Sequence, residues 1–208
     1  MLDGIHLPLI LGAALIAAGS PGPATLAIAS TSMTSGRRFG LALASGITSG
    51  SVVWSVAAAF GLSAAMLANV WIFETLRYVG AAYLLYLGAK SIRSALRPKG
   101  IAIAQARYVS WRQAYVKGLV LHLTNPKAIL FFGSLYAVGV PAHTPPESLA
   151  VIVLAIAAQS LLLFHGYALL FSSAAMTRGY LRLRRPLEAL FAAAFVAAGV
   201  KVLLSRAP

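Results

Sequence analysis

A few residues place unusual chemistry inside long apolar runs: Pro21-Gly22-Pro23, Asn125-Pro126-Lys127, His122 and His165. A proline inside a helix removes one backbone hydrogen bond and crowds the preceding turn. In lipid, the freed groups must find partners or line a wet cavity. A half-helix starting near Pro23 would aim free N–H groups and its positive dipole end inward, and one starting at Asn125-Pro126 would do the same. A carboxylate would be stabilised between two such ends. Simple proline kinks are the plainer alternative, which transmembrane helices tolerate. Breaks at matching places in two halves of a chain favour the binding reading.

Lys127 is the sharpest single residue. Near the centre of an apolar span, an ammonium costs about 3 kcal/mol unless paired or hydrated. A helix N-terminus adds to that cost, because the dipole repels a cation. An anionic ligand would offset both. The alternative is an acid on another helix, but the chain has only Asp3, Glu74, Glu147 and Glu188. Lys127, His165 and His122 are the candidates for carrying protons. A histidine that simply bonds a neighbouring carbonyl is the commoner case. Gln159 also falls within a span, and Tyr83 and Tyr86 read as packing or interface aromatics. The chain has no cysteine, which removes thiol catalysis and thiolate metal sites. Gly61 to Ala64 reads G-x-S-x, but no histidine follows in the last span to act as base, so no catalytic residues are assigned.

The elements that must position these groups follow from composition. Of 208 residues, 60% are hydrophobic and 10% charged, against about 25% charged in a soluble domain. Lipid is the solvent this composition suits. A helix needs about 20 residues to cross roughly 30 Å of hydrocarbon. Six candidate spans are 5–34, 40–68, 72–96, 111–138, 147–173 and 186–205. The net charge of +13 raises nucleic acid as a partner. The basic residues sit instead in short gaps between spans, where membrane topology puts them. Arg37 and Arg38 occupy the first gap. Lys90, Arg93, Arg97, Lys99, Arg107, Arg112 and Lys117 flank or fill the third, and Arg178, Arg182, Arg184 and Arg185 the fifth. Only Arg77, Lys201 and Arg206 fall on the opposite side. The positive-inside rule then puts the odd gaps in the cytoplasm and both termini outside.

The expected fold is an all-α membrane protein of six transmembrane helices, arranged as two inverted three-helix repeats over 1–105 and 106–208. Pro21 and Pro126 break helices 1 and 4 near mid-membrane, half a chain length apart. Gly88-Ala89-Lys90 in the third span corresponds to Gly199-Val200-Lys201 in the sixth. Three spans per half turn the second half upside down, the pattern of a transporter with its site at the repeat interface. Ala42, Gly46 and Gly50 form a small-residue ridge for close helix packing, either inside the bundle or between two subunits of a homodimer.

These motifs together resemble the LysE/RhtB family of amino-acid exporters. Ser20-Pro21-Gly22-Pro23 is followed by Ser35-Gly36-Arg37-Arg38-Phe39-Gly40-Leu41, Gly46 and Gly50. Gly80-Ala81-Ala82-Tyr83-Leu84-Leu85-Tyr86-Leu87-Gly88 comes next. Lys117-Gly118 then leads to Thr124-Asn125-Pro126-Lys127-Ala128 and Phe131-Phe132. The resemblance implies an inner-membrane exporter of amino acids or close derivatives, driven by the proton gradient and using no cofactor. It carries the family's Pro-Gly-Pro onto Pro21, Gly22 and Pro23, and its Asn-Pro-Lys onto Asn125, Pro126 and Lys127. Many members have Asn or Asp after Pro-Gly-Pro where this chain has Ala24, so a polar contact is missing or supplied elsewhere. Two alternatives stand beside it. A metal-cation exporter would need carboxylates or thiolates. A non-transporting scaffold or sensor subunit would leave Pro21 and Pro126 apart.

Overall fold

The computed structural model describes residues 5, 7–68, 70–96, 110–141 and 144–204. Asp3, Arg97, Lys99, Arg107 and Arg206, and the side chains of Glu74, Arg77 and Lys201, lie outside them. The described residues form eight α-helices and no strand: α1 (Leu7–Gly19), α2 (Pro23–Ser35), α3 (Arg37–Ala68), α4 (Val70–Leu96), α5 (Trp111–Leu123), α6 (Pro126–Gly139), α7 (Pro146–Leu170) and α8 (Ala174–Leu204).

Both expected breaks are present. Proline stands at the first helical position of α2 and of α6, where its fixed φ suits a helix start and its missing N–H costs nothing. The α1–α2 pair turns through 51° at the first break. Gly36, at φ 88°, makes the one-residue turn from α2 into α3. Length and composition alone mark Arg37–Gly61 and Pro146–Leu170 as membrane spans, and the bent α1–α2 pair as a third.

One expected loop is helical. The chain from Arg178 to Pro186 continues as part of α8, with Pro186 inside the helix. Ser94 of α4 donates to Glu188 Oε1 at 2.6 Å, and Arg184 Nε lies 3.8 Å from the same carboxylate, so α4 and an ion pair brace α8 beside its proline.

Glycines decide how closely the helices approach. α3 packs most extensively on α5 and α7, and α4 on α8 and α6. A Cβ at Gly46 would overlap the Tyr115 carbonyl oxygen and sit 2.7 Å from Leu119 N. A Cβ at Gly118 would overlap the Leu43 carbonyl oxygen and sit 3.2 Å from Ile47 N. The backbones of α3 and α5 therefore touch through both glycines, so the Gly46 ridge is spent inside the chain. The α4–α8 contact has the same reciprocity. Gly88 meets Val196 and Ala192, and Gly199 meets Leu85 and Ala81, at matching steps along each helix.

Candidate functional site

The two breaks meet in space. Lys127 leaves the first turn of α6 and reaches the end of α1. Its Nζ donates to the carbonyl oxygens of Ala17 at 2.8 Å and Ser20 at 3.1 Å, and to Ser20 Oγ. Tyr167 of α7 donates its hydroxyl to the Gly19 carbonyl at 2.9 Å. Farther up α1, Gln159 Nε2 donates to the Leu11 carbonyl at 2.9 Å. Lys127 of α6 and Tyr167 of α7 thus serve the carbonyls that α1 leaves open where it stops, and Gln159 adds a bond to its interior.

This corrects the expectation for Lys127. The side chain does not face the positive end of its own helix. It lies against the C-terminal end of α1, where the dipole is negative and a cation is stabilised. Its partners among the described residues are two carbonyls and a hydroxyl rather than an acid. Gly22 lies alongside the stem, since a Cβ there would stand in ordinary van der Waals contact, 3.4 Å from Lys127 Cδ and Nζ.

The two helix starts also differ, where both were expected to offer free N–H groups. Asn125 caps α6: its Oδ1 accepts from Lys127 N at 3.1 Å, and its carbonyl accepts from Ala128 N and Ile129 N. α2 starts at Gly22 without a side-chain cap. Leu26 N bonds the Gly22 carbonyl, and the N–H groups of Ala24 and Thr25 have no acceptor among the described residues. Ala24 and Thr25 are buried. The unspent end of a helix dipole is therefore at α2.

A cavity of about 50 Å³ lies between the breaks, with room for about four waters. Ser20, Thr25, Asn125 and Lys127 line it from the breaks, and Ser51 and Ser160 from the middles of α3 and α7. Phe131, Phe132, Ile156 and Phe164 form its apolar wall. Ala24 also borders it.

His122 joins this cavity. Its Nε2 is 3.0 Å from Ser51 Oγ, and its ring meets Phe164 edge-on at 6.0 Å between centroids. His122 Nδ1 is buried without a partner among the described residues. His165 is elsewhere. It ties α7 to α3 through Ser45 Oγ at 3.0 Å and bonds the Leu161 carbonyl at 2.9 Å, outside the cavity lining. Tyr83 and Tyr86 stack on each other, also away from it. Among the described residues, no group of three or more His, Asp or Glu stands together to hold a metal.

Sequence reasoning missed Tyr167, Ser51 and Ser160. A serine in an apolar helix usually bonds its own carbonyl four residues back, as Ser51 does with Ile47 at 3.2 Å. Such a residue announces nothing until its neighbours are known. Tyr167→Phe should cost about 1 kcal/mol by removing one hydrogen bond to α1. A thermal melt should show this as a fall of about 3 °C with the fold intact.

The pattern of the LysE type translocator family matches residues 15–206. The chain belongs to that family. Its relatives include the threonine efflux protein of Escherichia coli (strain K12), 29% identical over 194 residues that cover 92% of this translocator and 94% of that chain. The threonine efflux protein of Salmonella typhi is 30% identical over 195 residues, with the same coverage. An uncharacterized membrane protein of Pseudomonas aeruginosa is 37% identical over 192 residues, covering 88% of this translocator and 87% of that protein. No solved structure is a significant match. The LysE-type chain is a membrane transporter of a small molecule and not an enzyme.

Proposed function

We propose that this translocator exports amino acids, or close derivatives, with small uncharged side chains across the inner membrane, driven by the proton gradient. The observation that carries this reading is the meeting of both breaks at one cavity, where a few polar groups stand in an otherwise apolar lining. The substrate carboxylate lies at the uncapped start of α2, near the N–H groups of Ala24 and Thr25. Pro21, Gly22 and Pro23 shape that end, and Asn125, Pro126 and Lys127 shape the facing one. The substrate ammonium turns to the carbonyls that end α1. The described lining holds no acid, so a cationic side chain would go unpaired there, while the serines suit a hydroxyl. The relatives named for threonine efflux agree with a small polar cargo.

Transport proceeds by alternating access between two inverted halves, 1–105 and 106–208, each of three spans. α1 with α2, α3 and α4 form the first half, and α5 with α6, α7 and α8 the second. The reciprocal Gly88 and Gly199 contacts support this, because a two-fold axis between α4 and α8 would impose that exchange. The basic gaps face the cytoplasm and both termini face outward. Lys127 and His122 are the two candidates for carrying the proton, since both border the cavity and His165 does not.

Efflux from preloaded vesicles, with a panel of amino acids, tests the reading. Small neutral amino acids should leave faster when the outer side is acidic, and collapse of the gradient should abolish the excess. Equal efflux of every compound, with or without the gradient, would overturn it.

A further inference from the structure

The ammonium of Lys127 already sits where a substrate ammonium is needed. Three oxygens converge on it: the Ala17 and Ser20 carbonyls and Ser20 Oγ. They come from the C-terminal end of α1, on the opposite side of the first break from the uncapped N-terminus of α2. The break therefore offers a cation site on one side and an anion site on the other, the two charges that an α-amino acid zwitterion carries. The cation site is filled by the chain itself.

We propose that Lys127 is a tethered competitor of the substrate, so that the carbonyl end of α1 holds either the protonated Lys127 or a primary ammonium of the cargo, never both. The inference rests on the amino-acid reading above and adds a mechanism of coupling to it. The cargo ammonium takes over the Ala17 and Ser20 carbonyls. Lys127 is left in the cavity, whose described lining offers the neutral groups of Ser51, Ser160, Thr25, Asn125 and His122 but no acid to pair with it. A bare ammonium there is unstable, so Nζ gives its proton to water and remains as the neutral amine. When the cargo leaves, Nζ takes up a proton and returns to the carbonyls. One proton moves opposite to each cargo molecule, and the empty site is always closed by Lys127, so the carrier can return without cargo.

Other ionisable groups surround the exchange. His122 of α5 borders the same cavity, and Tyr167 of α7 bonds the neighbouring Gly19 carbonyl. Lys90 of α4 and Glu188 of α8 act on the ammonium through space. Glu188 is held by Ser94 and Arg184, and His122 by Ser51, so each has a structural partner of its own. Lys127 alone loses its acceptors to the cargo.

Calorimetry of the detergent-solubilised full chain, in buffers of different ionisation enthalpy, tests this with L-threonine and other small neutral amino acids. The wild type should release one proton per molecule bound, and affinity should rise about tenfold per pH unit while Lys127 starts protonated. Lys127→Ala should bind without proton release and without that slope, which a purely structural lysine would leave in place. A second measurement needs no amino acid. Methylammonium chloride should raise the unfolding temperature of Lys127→Ala, while tetramethylammonium chloride, which has no N–H, should not. Binding by the wild type with no proton release overturns the competition and leaves the export reading standing. A panel that never binds, together with selective stabilisation by methylammonium, retains the ammonium site and overturns the amino-acid reading instead. Failure of the wild type to release protons and of methylammonium to stabilise overturns the inference outright. Should Lys127→Ala not fold, the wild-type proton count decides alone.

Discussion

Gly118→Ala is expected to abolish the folded protein. Its new Cβ would overlap the Leu43 carbonyl oxygen and approach Ile47 N to 3.2 Å. Both are backbone atoms of α3, so no side chain can rotate away. Overpacking a core costs typically about 1–3 kcal/mol when side chains absorb it, and this contact exceeds that range. The consequence is geometric as well as energetic. α3 and α5 are the most extensively packed pair, and α5 carries His122 and leads into the second break. Separating them pulls His122 from Ser51 and Asn125 from the cavity. Gly46→Ala meets the opposite side of the same contact and should fail in the same way. Gly133→Ala and Gly166→Ala are the controls, since nothing lies within 4 Å of either new Cβ. Yield of monodisperse protein and its unfolding temperature would check all four. A Gly118→Ala protein that melts like the wild type would mean the helices are farther apart than described.

Lys127→Met should leave a membrane-inserted protein that no longer concentrates its cargo against a gradient. Methionine keeps the length of the stem and removes every donor. The Ser20 carbonyl then loses its partner beside the first break, at about 1–3 kcal/mol, while the Ala17 carbonyl keeps Ser20 Oγ at 3.0 Å. With no amine to exchange a proton, the part of efflux that an imposed proton gradient drives should fall to the level seen without a gradient. Vesicle efflux at imposed gradients measures the effect directly. Lys127→Arg should not restore it, because a planar fork cannot place three donors on the oxygens that Nζ meets as a point. Efflux by Lys127→Met at the wild-type rate would remove Lys127 from the mechanism.

Membrane residence and the two breaks were legible from the residues, because both depend on local chemistry. A chain with so few charges must live in lipid, and a proline in an apolar run must open the backbone whatever surrounds it. The family was legible for a similar reason: its motifs are the same backbone breaks and close-packing glycines. Those glycines announced a close approach without saying to what. Their partners on α5 come from chain far away in sequence, and only the packed bundle supplies them. The loop expected at Arg178 to Pro186 misled because proline was weighed by its local cost alone, and the buried Glu188 anchor on α4 was not visible.

The site divides along the same line. Sequence alone determined that Pro21-Gly22-Pro23 and Asn125-Pro126-Lys127 are departures from a plain apolar helix, and that Lys127 needs a partner. The tertiary structure decided who that partner is, that the α6 start is capped while the α2 start is not, and that His122 joins the cavity and His165 does not. The physical reason is range. Helix breaking and desolvation act within a turn or two of the chain. A hydrogen bond from Lys127 to Ser20 spans half its length and exists only once the two breaks are folded together.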